Sequence, residues 1–268
     1  MDKKNIIELL QPLMESPYWE KPQIGFASGA DPLFKSLKED IGDFYLTPLE
    51  VFHTKYTGAE VNEEDLTVVS FAFSHVPETK KEQASQKSEP GVRWMISRNS
   101  WKIVVREFYE NVGTALDGQG IRFTVPDLMA EMKVLKSEKY GLTSVWSQRH
   151  TAFAAGLGTF GLSEGLITRQ GVAMRFASVV IDKKYEPDNR EYKSHQEWCL
   201  FYKNGSCMAC AVRCPAKAIT KDGHDKDKCR EYLDKMGEKH HGDPRFDNRE
   251  EVGCGLCQSA VPCADMAP

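Results

Sequence analysis

None of the eight cysteines of this chain lies before Cys199, so all of them fall in the last seventy of its 268 residues. A chain of this length buries a sizeable apolar centre without covalent help, so the crowding marks a site and not a folding requirement. Spacing narrows the chemistry. Cys207, Cys210 and Cys214-Pro215 match the middle and end of the bacterial ferredoxin run C-x2-C-x2-C-x3-C-P, but Asn204 stands where its first cysteine belongs. An amide is a poor substitute for a thiolate on iron. Cys199, five residues upstream, fills the place if LFYKNG loops back, and the Asn204-Gly205 pair supplies a turn for it.

In two-cluster ferredoxins the cysteine before the proline ligates the other cluster. That crossover assigns Cys199, Cys207, Cys210 and Cys263 to one 4Fe-4S cluster, and Cys214, Cys229, Cys254 and Cys257 to a second. Zinc is the rival, since C-x2-C pairs also nucleate tetrahedral zinc, although two zinc sites would not need the C-x3-C-P spacing. A buried free thiol at Cys199 would leave the first group with three ligands.

The compartment follows from the amino terminus. MDKKNIIELLQPLMES carries Ile6, Ile7, Leu9, Leu10 and Leu13 at helical spacing and reads as an amphipathic helix, not a signal peptide. No stretch approaches the ~20 apolar residues that cross a bilayer. A cytoplasmic protein with no membrane partner is expected, in a reducing compartment that disfavours a disulfide framework. The net charge of -4, with no Lys/Arg block, argues for no nucleic-acid partner.

Apolar runs predict strands at 23–27, 66–73, 121–125, 165–168 and 175–181. Helical patterns fall at 31–39, 97–116, 125–134 and 145–155. The alternation predicts an α/β sandwich. The polar stretch 78–90 reads as a mobile loop, and 182–196 as the boundary between a domain at 1–190 and one at 191–268.

Gly156-x-Gly158-x-x-Gly161 has the letters of a dinucleotide fingerprint, but a helical pattern precedes it and a strand follows, so a nicotinamide cofactor is not expected. The glycines still mark a tight turn or a close approach, for example to a flat cofactor. Ser147, Gln148, Arg149 and His150 form either a solvated helix start or a polar wall beside a cofactor, with Arg149 or His150 binding or protonating substrate. Tyr140 is a candidate proton donor or a packed surface tyrosine. His240 and His241 are expected in solvent.

The combination RHTAFAAGLGTFGLSEGLIT, RFASVVID, CMACAVRCPAKAI, KDKCREYL and GCGLCQSAVPC resembles the epoxyqueuosine reductase and reductive dehalogenase superfamily over residues 140–268, with looser likeness in GFASGADPLF and VVSFAFS. The resemblance implies an α/β (α+β), nitroreductase-like cofactor domain carrying base-off cobalamin, followed by a ferredoxin-like double-cluster domain that feeds it electrons. It places the corrinoid against Ser147, Gly156, Gly158, Thr159, Gly161, Leu166 and Ala177. It implies a cobalamin-dependent reductase of a small organic substrate, reduced by an external donor such as ferredoxin or flavodoxin. The departures are specific. KYGLTSVWS lacks the family's aspartate proton donor, with Glu138 and Tyr140 nearest, and no helical-repeat segment follows Pro268, so queuosine synthesis is not expected. Reductive dehalogenases use a tyrosine with a basic partner, which Tyr140 and Arg149 could imitate. Two further readings remain: an electron-transfer protein that reduces another protein's corrinoid, and a zinc-stabilised binding module.

Overall fold

A computed structural model describes residues 2–246 and 253–268. The chain opens with α1 (Lys3–Leu10), N-capped by the Asp2 carboxylate, and β1 (Gln23–Ser28). Asp31 and Pro32 start α2 (Pro32–Ile41), and a reciprocal Thr47/Glu50 capping box starts α3 (Pro48–Lys55). β2 (Thr67–Ser74), α4 (Pro77–Ser85), the long α5 (Val92–Asp117) and the short β3 (Phe123–Thr124) follow. A hairpin of β4 (Val134–Ser137) and β5 (Gly141–Ser144) leads into α6 (Gln148–Ala154), β6 (Gly158–Phe160), β7 (Leu166–Thr168) and β8 (Met174–Ile181). The cysteine-bearing segment adds α7 (Leu200–Asn204), α8 (Ala209–Arg213), the hairpin β9 (Ile219–Thr220) and β10 (Gly223–His224), and α9 (Lys226–Lys239).

The main sheet has the order β1-β2-β8-β3, and every neighbouring pair is antiparallel. Every residue of β2 is buried, as expected of a central strand covered on both faces. Alternation sorts its side chains. Val69, Phe71 and Phe73 turn to one face, where Ile6 and Leu10 of α1 and Trp101, Val105, Phe108 and Val112 of α5 cover them. Val68 turns to the other, against Phe34, Val51, Phe52, Trp146 and Ala154. A third core joins the β6–β7 hairpin to the cysteine segment through Leu162, Ile167, Val172, Cys199, Ile219 and Val261.

The mixed α/β architecture is as expected, and three local expectations are corrected. Residues 78–90 are not all loop, because α4 occupies their first part. Pro77 starts it, and the residues it buries are Thr79 and Gln83, so no apolar stripe announces it. The helix expected at 125–134 is one 3-10 turn at Pro126–Leu128 followed by irregular chain into β4. A helix this short is marginal by itself, and Met129 and Met132 are held instead as partners of the second core. Within the stretch 182–196, Asp188 bonds to the sheet edge: its amide donates to the Phe26 carbonyl at 2.8 Å, and the Phe26 amide donates to its carboxylate at 2.9 Å. Finally, His240 packs edge-on against Phe246 and is only 15% exposed, whereas His241 does lie in solvent.

Candidate functional site

The thiols sort by mutual proximity. Burial pushes the Cys210 thiol up to about 11, with Cys199 and Cys207 adding to it. Burial likewise pushes Cys263 up to about 12, and Cys210, Cys199 and Cys207 again contribute. These four line one small cavity, closed on its apolar side by Leu162, Ile167 and Val261. Burial pushes Cys254 up to about 12, with Cys229 and Cys214 behind it. Cys257 is raised by burial and then by Cys254, Cys214, Cys210 and Cys229. Two groups of four therefore stand side by side, with Cys210 near the second. Among the described residues, no three Cys, His, Asp or Glu side chains converge tightly enough to hold a single ion. A cubane is several ångströms wide and is spanned by a looser set of thiols than one zinc ion takes.

Local structure builds each group. Gly205 closes α7 in the left-handed conformation and returns the chain from Cys199 toward Cys207. α8 carries Cys210 and ends at Cys214, whose sulfur accepts from the Ala218 amide at 3.3 Å. Cys229 lies on the first turns of α9, N-capped by Asp225. Between Cys254 and Cys257, Gly255 has φ 60°, and a Cβ there would meet the Trp94 indole at 2.0 Å. The Arg213 guanidinium clamps the assembly, donating to the carbonyls of Gln86 at 2.7 Å and Ser259 at 3.1 Å and to the Ser259 hydroxyl at 3.1 Å.

A polar cleft adjoins the thiols. Arg149 is open to solvent and at the same time surrounded by protein atoms, the condition of a cleft wall and not of an outer face. Its guanidinium donates to the Glu164 carbonyl and feels the Cys257 thiol. The His150 ring is hydrogen-bonded to the Ser147 hydroxyl, with Nδ1 and Oγ 2.8 Å apart. Burial, and then Arg149, hold its imidazole down to about 4, so it is neutral at physiological pH. Glu164 sits at φ 58° in the β6–β7 turn, and its carboxylate is 3.3 Å from His224 Nδ1. Hydrogen bonding to Cys229 and then to Glu164 raises His224 to about 9. The Lys226 ammonium donates to the Tyr140 carbonyl at 3.1 Å and ties α9 to the β4–β5 turn.

The structure thus brings Arg149, His150 and Ser147 together beside the cysteines. It gives Tyr140 other partners: its hydroxyl donates to the Asp40 carboxylate at 2.5 Å, and its basic neighbour is Lys139, not Arg149. The residues expected to contact a cofactor around the glycine turn have these protein neighbours. Ala177 is fully enclosed in the core above α5, and Leu166 is enclosed as well. The buried Thr159 hydroxyl accepts from the Trp198 amide. Gly158 is required by β7, since a Cβ there would lie 2.1 Å from the Ile167 carbonyl oxygen. Gly161 likewise faces Ile167, and Gly156 faces Asn189. These glycines let protein approach protein.

Sequence reasoning missed Glu164, His224, Lys226 and Asp40. Only Glu164, polar between glycines in LSEGLIT, carried a local signal. It also missed Asp127, a half-buried carboxyl raised chiefly by desolvation, which accepts from Tyr109 at 2.7 Å and Gln148 at 2.8 Å and so anchors the start of α6.

No family model matches the chain. It is 29% identical over 130 residues to an epoxyqueuosine reductase of Leadbetterella byssophila, a match covering 47% of this chain and 38% of that protein. The solved epoxyqueuosine reductase from Bacillus subtilis superposes with a TM-score of 0.56 at 19% identity, covering 99% of this chain and 68% of that one. An epoxyqueuosine reductase solved with an epoxyqueuosine-modified tRNA stem loop superposes with a TM-score of 0.52 at 19% identity, over 98% of this chain and 65% of that one. Among the described residues no helix is long and apolar enough to cross a membrane. In fold, and over about half its length in sequence, the chain is akin to the epoxyqueuosine reductases, as its C-terminal motifs led one to expect.

Proposed function

We propose that the protein is an oxidoreductase that holds two 4Fe-4S clusters and a corrinoid, takes electrons from an external carrier protein, and reduces a small organic substrate. The observation that carries this reading is the sorting of eight thiols into two groups of four beside a polar cleft. Cys199, Cys207, Cys210 and Cys263 would hold the first cluster, and Cys214, Cys229, Cys254 and Cys257 the second. The nitroreductase-like and ferredoxin-like arrangement at 1–190 and 191–268 belongs to the same reading.

The cleft fits a corrinoid in its donor chemistry. Thr143 Oγ1 and Gln148 Oε1, on either side of Ser147, are buried without a hydrogen-bond partner, and a corrinoid rim carries amides that satisfy such groups. When bound, a corrinoid supplies low-valent cobalt chemistry, which leaves the protein to supply geometry and protons. Arg149 offers a fixed positive charge to an anionic substrate. Ser147 orients His150, whose neutral ring binds and orients substrate and, as so weak a base, is a poor proton store. Tyr140, with Lys139 and Asp40, is the group able to pass a proton into the cleft from its edge.

Anaerobic reconstitution followed by a cobalamin titration tests the proposal. About eight iron and eight sulfide per chain are expected, with a shift of cobalamin to its base-off spectrum. Zinc in place of iron would overturn the cluster reading, and two clusters without that shift would overturn the corrinoid reading. The acid-free stretch KYGLTSVWS favours a second reading, a protein that reduces another protein's corrinoid. Reduction of a corrinoid protein without turnover of any small molecule would establish it.

A further inference from the structure

The helices that carry the first cysteine group present an unusual outer face. Tyr202, Met208 and Val212 are three of the large apolar side chains left exposed, and Val212 is 86% exposed. Met208 and Val212 are one helical turn apart and share a side, with Met208 lying between Cys207 and Cys210. Tyr202 feels the thiols of both Cys199 and Cys210. Charge on this segment is one-sided. From Cys199 to Lys221 the chain holds Lys203, Arg213, Lys217 and Lys221 and no acid, in a protein whose net charge is -4. Arg213 is consumed by its inward hydrogen bonds, whereas Lys203, Lys217 and Lys221 are exposed, and none makes an ion pair among the described residues.

Exposed apolar side chains and unpaired lysines on one short segment that carries a redox group are the makings of a transient electron-transfer interface, small in area and steered by electrostatics. We propose that this face docks an acidic one-electron carrier protein. Carboxylates of the carrier meet Lys203, Lys217 and Lys221, and its apolar centre covers Met208 and Val212. One electron leaves the reduced carrier and enters this protein through the first cysteine group; no bond is made or broken and no proton is required. The inference rests on the reading of those thiols as cluster ligands, and it adds the partner's charge and the surface it meets.

Stopped-flow reduction of the reconstituted holoprotein tests it, with flavodoxin hydroquinone as the protein donor and titanium(III) citrate as the small one. In Val212→Glu and in Lys203→Glu/Lys217→Glu, the rate with flavodoxin should fall about tenfold or more and the binding of oxidised flavodoxin should weaken in step. The rate with titanium citrate and the cluster potential should stay as in the parent, and added salt should slow the parent's reaction with flavodoxin alone. Equal slowing with both donors, or a shifted potential, would show that the lysines merely balance cluster charge and would overturn the docking site, as would no slowing at all. A chain that takes up no iron would instead overturn the cluster reading itself.

Discussion

At the scale of single residues, the instructive position is Asn204. It looks like a lost ligand, yet α7 and Gly205 turn the chain so that Cys199 reaches the neighbourhood of Cys207, Cys210 and Cys263. Cys199→Ala is therefore expected to lower bound iron from about eight toward about four per chain and to remove one cluster's paramagnetic signal. Unchanged iron and spectra would make Cys199 a spectator. The cysteines were legible because their chemistry is written in spacing along the chain. His224, Lys226 and Asp40 were not, because His224 meets Glu164 across 60 residues, Lys226 meets Tyr140 across 86, and Asp40 meets Tyr140 across 100. The cofactor roles read into Leu166 and Ala177 rest on a weaker signal: small and apolar residues beside a glycine turn look alike whether they face a cofactor or a core.

At the scale of elements, the sheet strands and α5 were legible from their apolar runs, while α4 was not, since what it buries is polar. Its Gln83 explains the burial: the side-chain amide donates to the Cys254 carbonyl at 2.6 Å and accepts from the Gly91 amide at 2.7 Å. α4 thereby braces the loop of the second cysteine group, and the Trp94 ring braces it from α5. Gly255→Ala puts a methyl group into that ring at a left-handed position, a combined cost of about 2–4 kcal/mol. The expected outcome is selective loss of the second cluster, read as a halving of iron with the first cluster's signal intact. Full iron content would show that Trp94 yields freely.

At the scale of the whole molecule, stability should depend on pH through one buried and one half-buried histidine. His75 lies between the rings of Trp19 and Trp94, with centroids at 3.9 and 4.1 Å. Burial, then Arg175 and Lys80, hold its imidazole well below the ordinary 6.5. His150 is held down to about 4 by burial and Arg149. Such histidines stay neutral in the fold while the unfolded chain takes up protons below about pH 6.5, so stability is present above that pH and lost as pH falls. Each costs about 1–2 kcal/mol by about pH 5. Melting of the holoprotein should therefore drop between about pH 7 and 5, and less steeply in His75→Phe; identical slopes would refute the role of His75.

The Arg213 clamp reaches further than the loops it holds. Its bonds run from α8 to the chain after α4 and to the turn following Cys257, and the third core mixes β6–β7 side chains with those around the cysteines. The last seventy residues are consequently not a portable cassette. Grafted onto another reductase without α4 and the β6–β7 hairpin, they would leave the Arg213 guanidinium short of partners and an apolar floor facing water. Recombination that shuffles such modules would have to carry these pieces of the amino-terminal half along with them.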